Sequence, residues 1–178
     1  NLIDKSLLET DHEGHYWLHP LVREFAYDDL KNKIEVHEIA LQYYLLLLPL
    51  PEERTSKEDI QPLIEAHYHA CRAEDYNKAF NIIMDNNIHE DLDRWGNYRT
   101  LIDLFLKLLP EDHFNDTSLL DNPQSHSLVL GNLGSAYSDL GQVEKAIDYY
   151  EKALVIGREI KDPRIINFCE TQLNSLKN

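Results

Sequence analysis

The sequence predicts an all-α chain, an array of helical hairpins preceded by one small β-hairpin. Three observations carry that prediction. From Pro20 onward apolar residues recur at helical spacing in segment after segment. The joins between these segments are short and polar. The one convincing β signal stands at the start, where Ser6–Thr10 and His15–Leu18 flank Asp11-His12-Glu13-Gly14, a polar turn closed by glycine.

The elements follow in order. Pro20, after His19, suits a first helical turn, and Leu21, Val22, Phe25 and Ala26 continue the helix to about Leu30. Val36, Ile39, Ala40, Tyr43, Tyr44 and Leu47 then form one wide apolar stripe on an amphipathic helix that Pro49 and Pro51 end. Pro51 to Ser56 reads as a polar linker. Helices are predicted from about Asp59 to Arg72, with Pro62 in the first turn, and from about Tyr76 to Asn86. The short join Ala73-Glu74-Asp75 makes them an antiparallel pair. A short helix over Ile88–Arg94 and a longer one over Asn97–Leu109, stopped by Pro110, lead to a polar loop over Glu111–Asn122.

The last third carries the sharpest pattern. Leu130, Leu133, Gly134 and Tyr137 share one helical face, Leu140-Gly141-Gln142 is a turn, and Ala146, Tyr150 and Ala153 share a face of the next helix. The small residues Gly134 and Ala146 are expected to face each other, with Tyr137 and Tyr150 filling the space beside them. Such a pair must stack on a neighbour to bury its face. A third helix begins after Asp162-Pro163. Leu173 stands 40 residues after Leu133, with Asn174 where Gly134 would recur, so a second unit is expected to begin there and stop halfway.

Charge and composition exclude several functions. Acidic residues outnumber basic ones 32 to 17, for a net charge of -15. Protonating all nine His leaves the chain negative. Such a field repels phosphate backbones, so no nucleic acid is expected as a partner. The apolar run Ala40–Pro51 is interrupted by Gln42 and Pro49 and is too short to span a bilayer. Two cysteines make no disulfide framework, which points to a reducing cytoplasm. The start has no Met and no signal peptide and reads as the middle of a longer protein.

Chemistry is sought along the chain and mostly not found. There is no G-x-x-x-x-G-K-[ST] phosphate cradle. Gly131-x-x-Gly134 lies in a helical period without nearby Lys or Arg and reads as close helix packing. His12, His15 and His19 crowd the hairpin, but no Cys stands near, so no metal site is assigned. His67 and His69 point to different sides of one helix, one at the surface and one packed. Cys71 and Cys169 read as ordinary buried thiols, with Arg72 the one basic neighbour. The pairs Glu52-Glu53, Asp28-Asp29 and Glu111-Asp112 read as solvated surface. Neither a cofactor nor enzymatic activity is expected. What remains is recognition. On the helix of Leu130, the face opposite the packing stripe carries Leu128, Gly131, Ser135, Ser138 and Asp139.

Two resemblances extend this reading. Leu130-Gly131-Asn132-Leu133-Gly134-Ser135-Ala136-Tyr137, followed by Gly141 to Leu154, resembles a tetratricopeptide repeat of the long variety, with Leu130 replacing the first aromatic. Glu74–Ala79 and Trp95–Tyr98 look like second-helix starts of the same kind, although His67 and Ala70 stand where Gly and Tyr belong. The resemblance implies a right-handed superhelix whose concave groove is lined by the Leu128–Asp139 face. Relatives that hold acidic tails place Lys and Asn there. With neither expected in this groove, a neutral or basic protein segment is the predicted ligand.

The second resemblance lies at the start. Ser6-Leu7-Leu8 and Tyr16 to Ala26 are similar to the end of the winged-helix domain of NB-ARC ATPases, signalling switches of the STAND class. Leu18-His19-Pro20 occupies that family's Met-His-Asp motif, with Pro in place of Asp. The resemblance implies that His19 senses the terminal phosphate of ADP in the full-length protein. It implies three segments: residues 1–31 end a winged helix, 32–122 form a helical linker with degenerate repeat-like pairs, and 123–178 hold a repeat and the first helix of the next. The expected role is the sensor and regulatory part of a STAND ATPase, with a protein partner or the intramolecular nucleotide-binding domain against it. The alternatives are a stand-alone adaptor or scaffold, or the sensor of a STAND-type transcriptional regulator.

Overall fold

A computed structural model describes residues 8–10, 16–18, 24, 25, 27–48, 50–110 and 118–177. The chain divides into two compact units, residues 1–36 and 37–178. In the first, β1 (Leu8–Thr10) pairs antiparallel with β2 (Tyr16–Leu18), setting Leu8 opposite Leu18 and Thr10 opposite Tyr16. Residues 24, 25, 27 and 28 are helical. Lys33 pairs with Asp28 at 3.4 Å and lies over the Tyr27 ring at 4.5 Å. Phe25 is 77% exposed, and none of residues 24, 25 and 27–36 is buried. The turn Asp11–Gly14, His12, His15, His19, Pro20, Glu111 and Asp112 lie outside the described residues, and so do the expectations attached to them.

Helix α1 (Lys33–Leu45) corrects an expectation. Only His37 and Leu41 are buried in it, while Val36, Ile39, Tyr43 and, just beyond, Leu47 point outward. The helix is apolar nearly all round, so its apolar positions do not single out a packing face. What fixes the face is Leu41 joining the core and His37 reaching a partner on the next long helix.

The second unit is a stack of helices: α2 (Gln61–Arg72), α3 (Tyr76–Asp85), α4 (Ile88–Arg94), α5 (Tyr98–Leu106), α6 (Pro123–Asp139), α7 (Val143–Glu159) and α8 (Pro163–Lys177). Each packs on its neighbours in sequence. The starts are marked as the chain's chemistry requires. Asp75 accepts from the Lys78 N–H at 3.0 Å, Asn122 from that of Gln124 at 2.9 Å, and Pro62 and Pro123 sit in first turns.

The ends share one device. Glu74, Gly96, Gly141 and Lys161 all have positive φ, and the next residue's N–H reaches back to the carbonyls of Ala70, Leu92, Tyr137 and Gly157. This is the six-residue closure that reverses a chain tightly after a helix. Its recurrence after α2, α4, α6 and α7 is what makes the unit repeat-like.

One core runs from Leu41 to Leu173. Gly134 makes room for Tyr150, whose ring would lie 2.7 Å from an added Cβ; its nearest neighbour is thus Tyr150 rather than Ala146. Tyr137 stacks on Tyr149 at 5.4 Å. The stretch read as a polar linker, Pro51–Ser56, is not all surface. The buried Arg54 donates to the Asn86 carbonyl at 2.6 Å and to Asp91 at 3.4 Å.

Candidate interaction groove

Helices α6 and α8 border a pocket of about 340 Å³. Leu128, Gly131 and Asn132 come from α6; Arg164, Ile165 and Phe168 come from α8. Gly131 is buried in the pocket lining, and a Cβ placed there would meet the Phe168 ring at 3.5 Å. Phe168 packs edge-on against Tyr150 at 5.8 Å, which ties the pocket wall to the repeat's own packing.

Of the residues expected to line the groove, Leu128 and Gly131 do so. Ser135 is turned toward the helix pair instead. Its hydroxyl donates to the Gly131 carbonyl at 3.2 Å and lies 3.0 Å from the Tyr150 hydroxyl. Ser138 and Asp139 lie further along α6 and outside this pocket. Burial, then the nearby Asp93, holds the Asp139 carboxyl above its ordinary range.

The expectation of a groove with neither Lys nor Asn is corrected at one residue: Asn132 lines it, and Arg164 lines it from the next unit. Asn132 stands four residues after Leu128 and so shares its helical face, a signal the sequence did contain. Arg164 and Phe168 stand 40 residues after Gln124 and Leu128, so they occupy the same positions on the following unit. Arg164 is already engaged: two of its nitrogens meet the Asp162 carboxylate at 3.2 and 2.8 Å. Residues 123–138 hold no Asp, Glu, Lys or Arg, so α6 offers the groove a wall without formal charge.

The remaining candidates have no reactive arrangement. His67 is fully buried, and burial drives its imidazole from 6.5 down to about 3. It lies 3.8 Å from the Cys71 sulfur, but burial pushes that thiol up to about 12, far from a nucleophilic thiolate. The buried Cys169 is pushed up to about 11 by burial and then Glu170. Of the two histidines expected to divide between surface and packing, His67 packs, and His69 is half-buried and meets His37. Among the described residues no three His, Cys, Asp or Glu side chains gather as metal ligands, and no helix is long and apolar enough to cross a membrane.

Residues 127–157 match the family model of the tetratricopeptide repeat, a module of protein–protein interaction. The matched stretch covers most of α6 and nearly all of α7. No curated protein and no solved structure matches the chain.

Proposed function

We propose that the pocket between α6 and α8 seats an apolar side chain from an uncharged or weakly basic segment of a protein partner. The observation that carries this is the apolar lining of Leu128, Ile165 and Phe168 beside a helix wall without formal charge. Arg164 is neutralised by Asp162, so a carboxylate ligand would have to displace an existing ion pair. The chain's charge of -15 disfavours an acidic partner further. Of the expected face, Leu128 and Gly131 line this pocket, with Asn132, Arg164 and Phe168 added to them, while Ser135, Ser138 and Asp139 are not part of it. The packing set is Leu130, Leu133, Gly134, Tyr137, Ala146, Tyr150 and Ala153.

The test is peptide selection. A displayed peptide library is panned on the protein, and binders are re-measured on Gly131→Leu, which fills the pocket, and on Phe168→Ala, which opens it. Selected peptides should share one apolar residue without acidic neighbours and lose binding to both variants. Binding to both variants as strong as to the parent protein sinks the groove reading.

The wider role belongs to the same proposal. This is the sensor and regulatory segment of a STAND-class signalling ATPase, cytoplasmic, non-enzymatic and without a cofactor of its own. Residues 1–31 are its winged-helix end, 32–122 its linker and 123–178 its repeat region. The resemblance over Ser6–Leu8 and Tyr16–Ala26 supports it. In the parent protein, His19→Ala should weaken ADP retention by about 10- to 100-fold, the loss of one charge-assisted hydrogen bond. Unchanged retention would favour the stand-alone adaptor.

A further inference from the structure

We propose that His37 on α1 and His69 on α2 form a proton-operated clasp that holds α1 in place and opens when both imidazoles are protonated. The Nδ1 atoms of the two rings lie 2.7 Å apart, and His37 is only 4% exposed. Two Nδ1 atoms at that distance are satisfied in one way: one carries a hydrogen and donates, and the other accepts through its lone pair. A first proton leaves such a bond intact, because a protonated ring still donates to a neutral one. A second proton places two N–H groups head to head, and the rings must part.

The surroundings favour the neutral, closed pair. Tyr44 of α1 stacks on His69 at 5.5 Å, and Tyr68 of α2 meets His37 and His69 edge-on at 6.1 and 5.2 Å. Arg72, one turn beyond Tyr68, opposes protonation of His37, and Glu65 favours protonation of His69. Lys107 lies over the Tyr68 ring at 5.2 Å and adds positive charge to the same neighbourhood. Burial, the largest influence on both imidazoles, holds them below 6.5.

The clasp matters because α1 buries little of its surface, with Tyr44 and Leu45 only partly packed on the core. His37 and Leu41 are its only buried residues. If the clasp opens, Leu41, Tyr44 and Leu45 join Ile39, Tyr43 and Leu46 as uncovered apolar surface. The result is a helix that acid releases and neutral pH returns. This goes beyond the groove reading and uses none of its residues.

Amide hydrogen exchange on the whole chain tests it, with rates corrected for the intrinsic pH dependence. Protection over residues 37–45 should fall about tenfold or more between about pH 7.5 and about pH 5, while α4 and α5 keep theirs. Two variants remove the protons differently: His69→Phe keeps the stack on Tyr44, and His37→Gln keeps a hydrogen-bonding side chain. Each that retains helical circular dichroism should lose the selective acid response of α1. Nitrogen NMR of the wild-type imidazoles should show one protonated and one bare Nδ1 at neutral pH, with both protonated as α1 protection falls. The clasp is refuted if α1 protection follows α4 and α5 at both pH values, if a folded variant keeps the acid response, or if both imidazoles charge with α1 still protected.

Discussion

At the residue scale, the glycines of α6 separate packing from propensity. A Cβ on Gly134 would stand 2.7 Å from a Tyr150 ring that is almost fully buried and held by Ser135. Overpacking of this kind costs about 1–3 kcal/mol. The gain in helix propensity from Gly to Ala is about 1 kcal/mol. Gly134→Ala should therefore lower the urea midpoint. Gly131→Ala meets only ordinary contact at 3.5 Å with an exposed Phe168, so propensity wins and the midpoint should rise. The opposite order in a denaturation series would show that the repeat packs differently. The buried Arg54–Asp91 pair makes a second prediction. Arg54→Met leaves a buried carboxylate paired with the exposed Arg94 at 3.1 Å and removes the donor to the Asn86 carbonyl. Breaking a buried pair in this way costs about 3–5 kcal/mol, and Arg94 should keep the loss near the lower end. Adding Asp91→Leu should restore most of it in a double-mutant cycle, and additive losses would mean the pair is not coupled. Gly134 was legible from spacing alone, because a small residue amid Leu and Tyr marks a close approach. Arg54 was not: its charge among Pro and Glu looks like surface, and its partner lies 37 residues away.

At the scale of elements, helix boundaries read well wherever a cap or a turn residue stands in the sequence. Asp75, Gly141, Pro62 and Pro163 each mark a helix end by a local mechanism. Orientation read less well. The stripe through Val36, Ile39, Tyr43 and Leu47 is a sound helical pattern, yet it faces outward, since the opposite side of α1 is nearly as apolar. Only knowledge of His69 and of the core beneath Leu41 settles which face packs. Substitution can check the face. Leu41→Ala should cost about 2–5 kcal/mol as a buried truncation. Ile39→Lys, at a position 64% exposed, should stay within about 0.5 kcal/mol of the parent. Comparable losses from both, measured by thermal melting or urea, would show that the outward face is covered after all. The groove was half legible for a related reason. Its α6 wall follows from one helix, whereas Arg164 and Phe168 come into view only when the following unit is laid beside it.

For the whole molecule, charge and burial pull against each other as pH falls. The net charge of -15 shrinks as histidines protonate, which relieves self-repulsion. That relief is long-ranged and is screened within about 8 Å at physiological salt. Buried histidines act locally and escape most of that screening. His67 is fully buried, and burial carries its imidazole from 6.5 to about 3. Burial also lowers His37 and His69. Below about pH 6.5 the unfolded chain takes up these protons while the folded chain does not, so the unfolded state binds more of them. Stability is therefore whole above that pH and is lost as pH falls toward the folded values. Each proton that lags in this way is worth up to about 1.4 kcal/mol per pH unit. The hydrogen-bonded carboxylates of Asp59 and Asp162, both held below 3.8, withdraw their support only in stronger acid. The interval from about pH 6.5 to about pH 5 thus belongs to the histidines. The urea midpoint should fall across it, despite the shrinking net charge. His67→Leu, which fills a similar volume without a titrating group, should flatten the slope by up to about one proton. A midpoint that holds or rises in that interval would mean that relief of the chain's negative charge outweighs its buried imidazoles.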